Sequence, residues 1–186
     1  MHYTMNIAGL TRDLPLCAVT DDLSIGAFIM FGDAELTVAC AKALLEKIPA
    51  DSYDYMLTAE AKSIPLIHEM ARQSGAKRYF IARKGMKVSL TDPLRVSVRS
   101  ITTAYQQELI LGGEDAAMLK GKRVLLVDDV ISTGESLRAL EELAEAAGAT
   151  VTGRAAVLVE GDAQSRPDVI SLGTLPLFNA DGSVKE

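Results

Sequence analysis

The chain has no tryptophan, two histidines and two cysteines in 186 residues. Cys17 and Cys40 stand far apart without His or Cys companions, which argues against a zinc cluster or a disulfide framework. Both are expected as small core residues. His2 is terminal and His68 falls in a helical pattern, so no nucleophilic triad can be assembled from them. No apolar run approaches the ~18 residues that a membrane span requires. The opening MHYTMNIAGLTRDLP lacks a basic stretch followed by an apolar block, so a soluble, cytoplasmic protein is expected. Positive charge is also scarce, 19 Lys and Arg against 25 Asp and Glu for a net charge of −6, which argues against a nucleic-acid surface and for a small-molecule ligand.

What is present suits one α/β domain over residues 1–186. Leu36, Ala39, Cys40, Ala43 and Leu44 follow helical spacing between Asp33, a capping residue, and Pro49, so a helix is expected over Asp33–Ile48. A strand at Tyr55–Thr58, a helix at Ile64–Ser74 stopped by Gly75, and a strand at Lys77–Ala82 follow. That order predicts right-handed parallel crossovers. Arg83 to Thr103 mixes bases, hydroxyls and turn residues, and is expected as a long mobile hairpin serving as a lid. Leu109–Leu111 reads as a short strand before Gly112–Gly113. Strand, helix and strand are then expected at Val124–Val127, Glu135–Ala147 and Thr150–Val159, with the C-terminal tail packing on the N-terminal residues as a small lobe.

The stretch RVLLVDDVISTGES, Arg123 to Ser136, carries the chemistry. Val124 to Val127 are continuous and apolar, as in a strand covered on both faces of a parallel sheet. Asp128 and Asp129 then sit at its carboxyl end, expected to be solvent-reachable, where open α/β sheets bind ligands. Two carboxylates there accept hydrogen bonds from vicinal hydroxyls and can approach a hydrated Mg²⁺. Ser132, Thr133, Gly134, Glu135 and Ser136 supply hydroxyls, a close-approach glycine and the N–H groups of a helix start, which together cradle a phosphate. A sugar grip beside a phosphate cradle implies a ribose phosphate.

VLLVDDVISTGES resembles the phosphoribosyl-pyrophosphate signature of type I phosphoribosyltransferases. ARKGMK, the region around SVRSITT and VLVEGDAQSRPD look like the adenine phosphoribosyltransferase-like branch, and SLTDPLRVSVRS is similar also to xanthine phosphoribosyltransferases. The resemblance implies a Rossmann-like fold: a central, mainly parallel sheet flanked by helices, with a small hood made by the terminal segments and a flexible loop. It further implies a homodimer and transfer of a phosphoribosyl group from phosphoribosyl pyrophosphate to a purine, adenine first and xanthine or hypoxanthine as the alternative, with Mg²⁺. Asp128 and Asp129 would hold the ribose hydroxyls, and Ser132 through Ser136 the 5′-phosphate. Glu60, Ala61, Lys62 and Ser63 match the pyrophosphate turn, with Ser63 where the family has glycine. Arg83, Lys84 and Lys87 would neutralise the leaving pyrophosphate. The acid of the adenine enzymes' loop has no counterpart, since Ser100 to Tyr105 offer hydroxyls, and no purine contacts are assigned. Regulators of the same fold sense phosphoribosyl pyrophosphate without turnover; the acidic charge and the short stretch before the core count against that role.

Overall fold

Val124 and Leu126 are buried on one side of the central sheet and Leu125 and Val127 on the other, each pair in a separate apolar cluster. A strand apolar at every position can only be covered on both faces, and the fold supplies both covers. The computed structural model describes residues 1–88, 90–98 and 107–185. In chain order the strands and helices are β1 (His2–Ile7), β2 (Leu10–Ala18), β3 (Ser24–Gly26), α1 (Ala34–Lys47), β4 (Tyr55–Ala59), α2 (Ile64–Ser74), β5 (Phe80–Ala82), β6 (Leu94–Val98), β7 (Gln107–Leu111), α3 (Gly113–Leu119), β8 (Arg123–Ile131), α4 (Glu135–Ala146), β9 (Thr150–Glu160), β10 (Ile170–Leu175) and β11 (Leu177–Phe178).

The five-stranded sheet runs β10-β9-β8-β4-β5, with every neighbouring pair parallel. β4 and β8 are adjacent, Leu57 opposite Leu126. From β4 the chain next builds outward to β5, and from β8 it builds outward to β9 and β10. The strand order therefore reverses between β4 and β8, and their carboxyl ends splay open a crevice there. α1 and α2 pack with Leu125 and Val127, while α3 and α4 pack with Leu126 on the opposite face. The helices that follow β4 and β8 thus leave the crevice on opposite sides.

Local chemistry accounts for the element ends. The Asp33 carboxylate accepts the Leu36 N–H at 2.9 Å and caps α1. Gly75 ends α2 at φ 75°, in the left-handed region. Both chain ends build the hood, in which β1, β2, β3 and β11 form one antiparallel sheet. Arg12 of β2 holds it to the core through Asp33 at 2.7 Å and Glu35 at 2.8 Å.

Several expectations need correction. Cys40 is buried but Cys17 is exposed, so only one is a core residue. The strand expected from Lys77 is confined to Phe80–Ala82. The hairpin joins β6 to β7 antiparallel, with Leu94 opposite Leu111, so the short strand expected at Leu109–Leu111 is its returning arm. The last part of the expected lid, through Thr103, and the hydroxyl stretch Ser100 to Tyr105 lie outside the described residues. α3 was not anticipated: it begins at Gly113, where a Cβ would stand 2.7 Å from the Asp92 carbonyl oxygen, so glycine is needed for the close approach of the preceding loop.

Candidate active site

The acid pair is deeper than a strand tip. β8 continues through both acids to Ile131, so Asp128 and Asp129 are strand residues, Asp128 half-buried and Asp129 6% exposed. The expectation that they stand at a solvent-reachable end holds only for Asp128. The Asp129 N–H donates to Asp128 Oδ1 at 2.9 Å, and the buried Asp129 Oδ2 has no hydrogen-bond partner among the described residues.

Across the crevice, the turn after β4 brings Ser63 to the pair. Its hydroxyl, on a residue 1% exposed, donates to Asp128 Oδ1 at 2.8 Å and lies 3.4 Å from Asp129 Oδ1. The Asp128 carboxyl is raised to about 7, first by burial and then by the neighbouring Asp129, while the Ser63 hydroxyl opposes both.

Ala59, Glu60, Ala61, Lys62, Ser63, Lys84, Asp128, Asp129, Val130 and Ser136 line one cleft of about 190 Å³. It gathers the whole expected pyrophosphate turn, the acid pair, one lysine and one hydroxyl of the phosphate turn. Arg83 behaves differently from expectation. Its guanidinium is paired to Glu60 at 3.2 Å, and its backbone exchanges two hydrogen bonds with Ile110, so it ties the turn to the hairpin. The Glu60 carboxyl is held below the usual range first by the Lys84 N–H and then by Arg83. Lys84 lines the cleft, whereas Lys87 is exposed and does not.

The second expected subsite is the turn between β8 and α4. Gly134 adopts φ 80° immediately before α4, a conformation that costs a residue with a side chain ~1–2 kcal/mol. The turn thus presents the first N–H groups of α4, with Thr133 and Ser136 exposed beside them. Glu135 opens the helix, and its N–H reaches Thr133 Oγ1 at 3.4 Å. The Ser132 hydroxyl lies on the side of Glu160, whose carboxyl it lowers.

Two groups escaped sequence reasoning. Glu160 ends β9 at 6% exposure, and burial raises its carboxyl against the opposing Ser132 hydroxyl. Arg166 lies beside Gly134: its Nη1 is 3.4 Å from where a Gly134 Cβ would stand. An acid ending an apolar strand was a usable signal for Glu160, but nothing in the sequence pairs Arg166 with Gly134.

The model of the phosphoribosyl transferase domain family matches residues 34–178, from α1 to the last hood strand. The chain belongs to that family. A xanthine phosphoribosyltransferase from Bifidobacterium adolescentis is 32% identical over 133 residues, 70% of this chain and 68% of the relative. A hypoxanthine/guanine phosphoribosyltransferase from Methanohalophilus mahii is 31% identical over 109 residues, 59% of this chain, and the chain spans about half of it, 53%. Among solved structures, the adenine phosphoribosyltransferase of Thermoanaerobacter pseudethanolicus superposes with a TM-score of 0.65 at 24% identity, covering 76% of this chain and 82% of that one. This likeness bears on the fold, and the parallel sheet with flanking helices is the type I phosphoribosyltransferase fold.

Proposed function

We propose that the protein transfers the 5-phosphoribosyl group of phosphoribosyl pyrophosphate to N9 of a purine, releasing pyrophosphate and a nucleoside monophosphate. The observation that carries this reading is the joining of the acid pair to the Glu60–Ser63 turn through Ser63, in one cleft that also holds Lys84. Sugar-gripping carboxylates and a turn for the leaving group then lie on the two strands that border the crevice.

Asp128 and Asp129 accept the ribose hydroxyls, and the Gly134 turn holds the 5′-phosphate, so the sugar is fixed at both ends. Lys84 and Lys62 face the leaving group with positive charge. As the bond from C1′ to pyrophosphate loosens, positive charge develops on the ribose ring beside the carboxylates, and the purine nitrogen attacks from the opposite face. Orientation and electrostatics supply the acceleration, with no covalent intermediate on the protein.

The unpartnered, buried Asp129 Oδ2 fits a hydrated cation or a ribose hydroxyl. No group of three or more ligating side chains exists among the described residues, so Mg²⁺ would be held by the acid pair together with water and substrate oxygens. When bound it supplies charge neutralisation to the pyrophosphate.

Adenine is the first acceptor, on the resemblance of ARKGMK and VLVEGDAQSRPD to the adenine phosphoribosyltransferase-like branch. The xanthine and hypoxanthine/guanine relatives, at 32% and 31% identity, favour a 6-oxopurine as the second reading. Incubation with phosphoribosyl pyrophosphate, Mg²⁺ and adenine, guanine, hypoxanthine or xanthine separates them. A monophosphate from adenine alone supports the first, products from the oxopurines support the second, and no product from any base contradicts the transfer.

A further inference from the structure

Arg166 follows the short 3-10 turn Gly161–Ser165 after β9, in a segment with no assigned role. Its guanidinium is oriented. Nε donates to Asp168 Oδ1 at 3.1 Å and Nη2 to Asp168 Oδ2 at 2.6 Å, a two-pronged clamp. Glu141 of α4 lies 3.9 Å from Nη2, and Arg154 of β9 braces Glu141 and, at 3.4 Å, Asp168. Both acids therefore hold one edge of Arg166. The opposite edge, Nη1, has no hydrogen bond to any described residue, and it stands over Gly134, 3.4 Å from the position of an added Cβ.

We propose that Arg166 is a ligand-contacting residue of the phosphate turn, donating through Nη1 to the terminal phosphate of a ribose 5-phosphate moiety held by the N–H groups of α4. The inference rests on the phosphoribosyl reading above and adds to it a charged side chain from a distant segment. The turn itself offers hydroxyls and N–H groups but no positive side chain, and Glu135 adds a negative one. A phosphate dianion there is held more tightly with a cation beside it, and a planar guanidinium with one edge fixed and the other free provides directed donors at small entropic cost. The glycine at 134 then serves two ends: it takes the left-handed conformation, and it leaves the space that Nη1 overlooks.

The test is calorimetric titration with ribose 5-phosphate at constant ionic strength, using wild type, Arg166→Gln, Arg166→Lys and Arg166→Ala. Loss of a charge-assisted contact is expected to weaken binding by about tenfold to a hundredfold in Arg166→Gln, and less in Arg166→Lys, which keeps the charge without the fork. Millimolar guanidinium should restore part of the affinity of Arg166→Ala. A purely structural role would instead lower the unfolding temperature without any such rescue. Wild-type affinity in Arg166→Gln, or a loss that neither lysine nor guanidinium relieves, overturns the role of Arg166 alone. Failure of wild type itself to bind ribose 5-phosphate overturns both this role and the phosphoribosyl reading.

Discussion

The Ser63 hydroxyl lies 2.8 Å from Asp128 Oδ1, so a residue of the turn after β4 is hydrogen-bonded to an acid on β8, across the point where the strand order reverses. Glycine at that position would leave the acid pair without this donor. Ser63→Gly or Ser63→Ala should therefore loosen the turn against the pair, raising KM for phosphoribosyl pyrophosphate severalfold. Ser63→Thr should retain more of the wild-type value. Steady-state kinetics on the three variants checks this, and equal KM values in all of them would remove any role for the hydroxyl.

Burial of the acid pair predicts a pH dependence of stability. The Asp128 carboxyl is raised from 3.8 to about 7 in the folded chain, so between those values the folded state binds more protons than the unfolded one. Stability then falls as pH rises through that window; the penalty is absent below it and complete above about 7. Thermal unfolding should give a higher midpoint near pH ~5 than near pH ~8, and Asp128→Asn should flatten the difference. A wild-type midpoint that rises over that range with the same slope in Asp128→Asn would contradict the assignment.

Asp128→Asn and Asp129→Asn should each lower kcat/KM for phosphoribosyl pyrophosphate by about tenfold to a hundredfold, the range expected for charged hydrogen bonds to the sugar. Both variants should fold, as near-ultraviolet circular dichroism can show. Wild-type kinetics in both would mean that the pair grips nothing.

Lys84 and Lys87 should part company. Lys84 lines the cleft and Lys87 does not, so Lys84→Ala should raise KM more than Lys87→Ala. Hydrogen exchange at residues 84–88 should slow, relative to α1, when phosphoribosyl pyrophosphate and Mg²⁺ are added together. Unaltered exchange with both lysines dispensable would leave this segment as scaffold.

Gly134→Val forces a branched residue to φ 80°, beside Arg166, and should cost ~1–2 kcal/mol of stability as well as affinity for ribose 5-phosphate. Differential scanning calorimetry and ligand titration measure the two losses separately. Unchanged affinity would count against the cradle.

How much of this was legible in the sequence follows from the range of the interactions. α1, α2 and α4 announce themselves through local spacing and caps, and VLLVDD through a run apolar at every position before two acids. Such signals need no knowledge of the rest of the chain. The hydrogen bond from Ser63 spans 65 residues, and in the sequence Ser63 appears merely as a departure from glycine. Arg83 looked like a free cation because its partner Glu60 comes from another turn, 23 residues away. α3 was hidden by its seven-residue length and by Gly113, a residue that ordinarily argues against a helix.

The central claim is that the crevice between β4 and β8 binds phosphoribosyl pyrophosphate through the acid pair. Isothermal calorimetry with phosphoribosyl pyrophosphate and Mg²⁺, on wild type and on the doubly substituted Asp128→Asn, Asp129→Asn protein, tests it most directly. Saturable binding at one site per chain that is lost in the double variant is the predicted result. Binding that survives intact in a folded double variant, or its absence from wild type, would contradict the account.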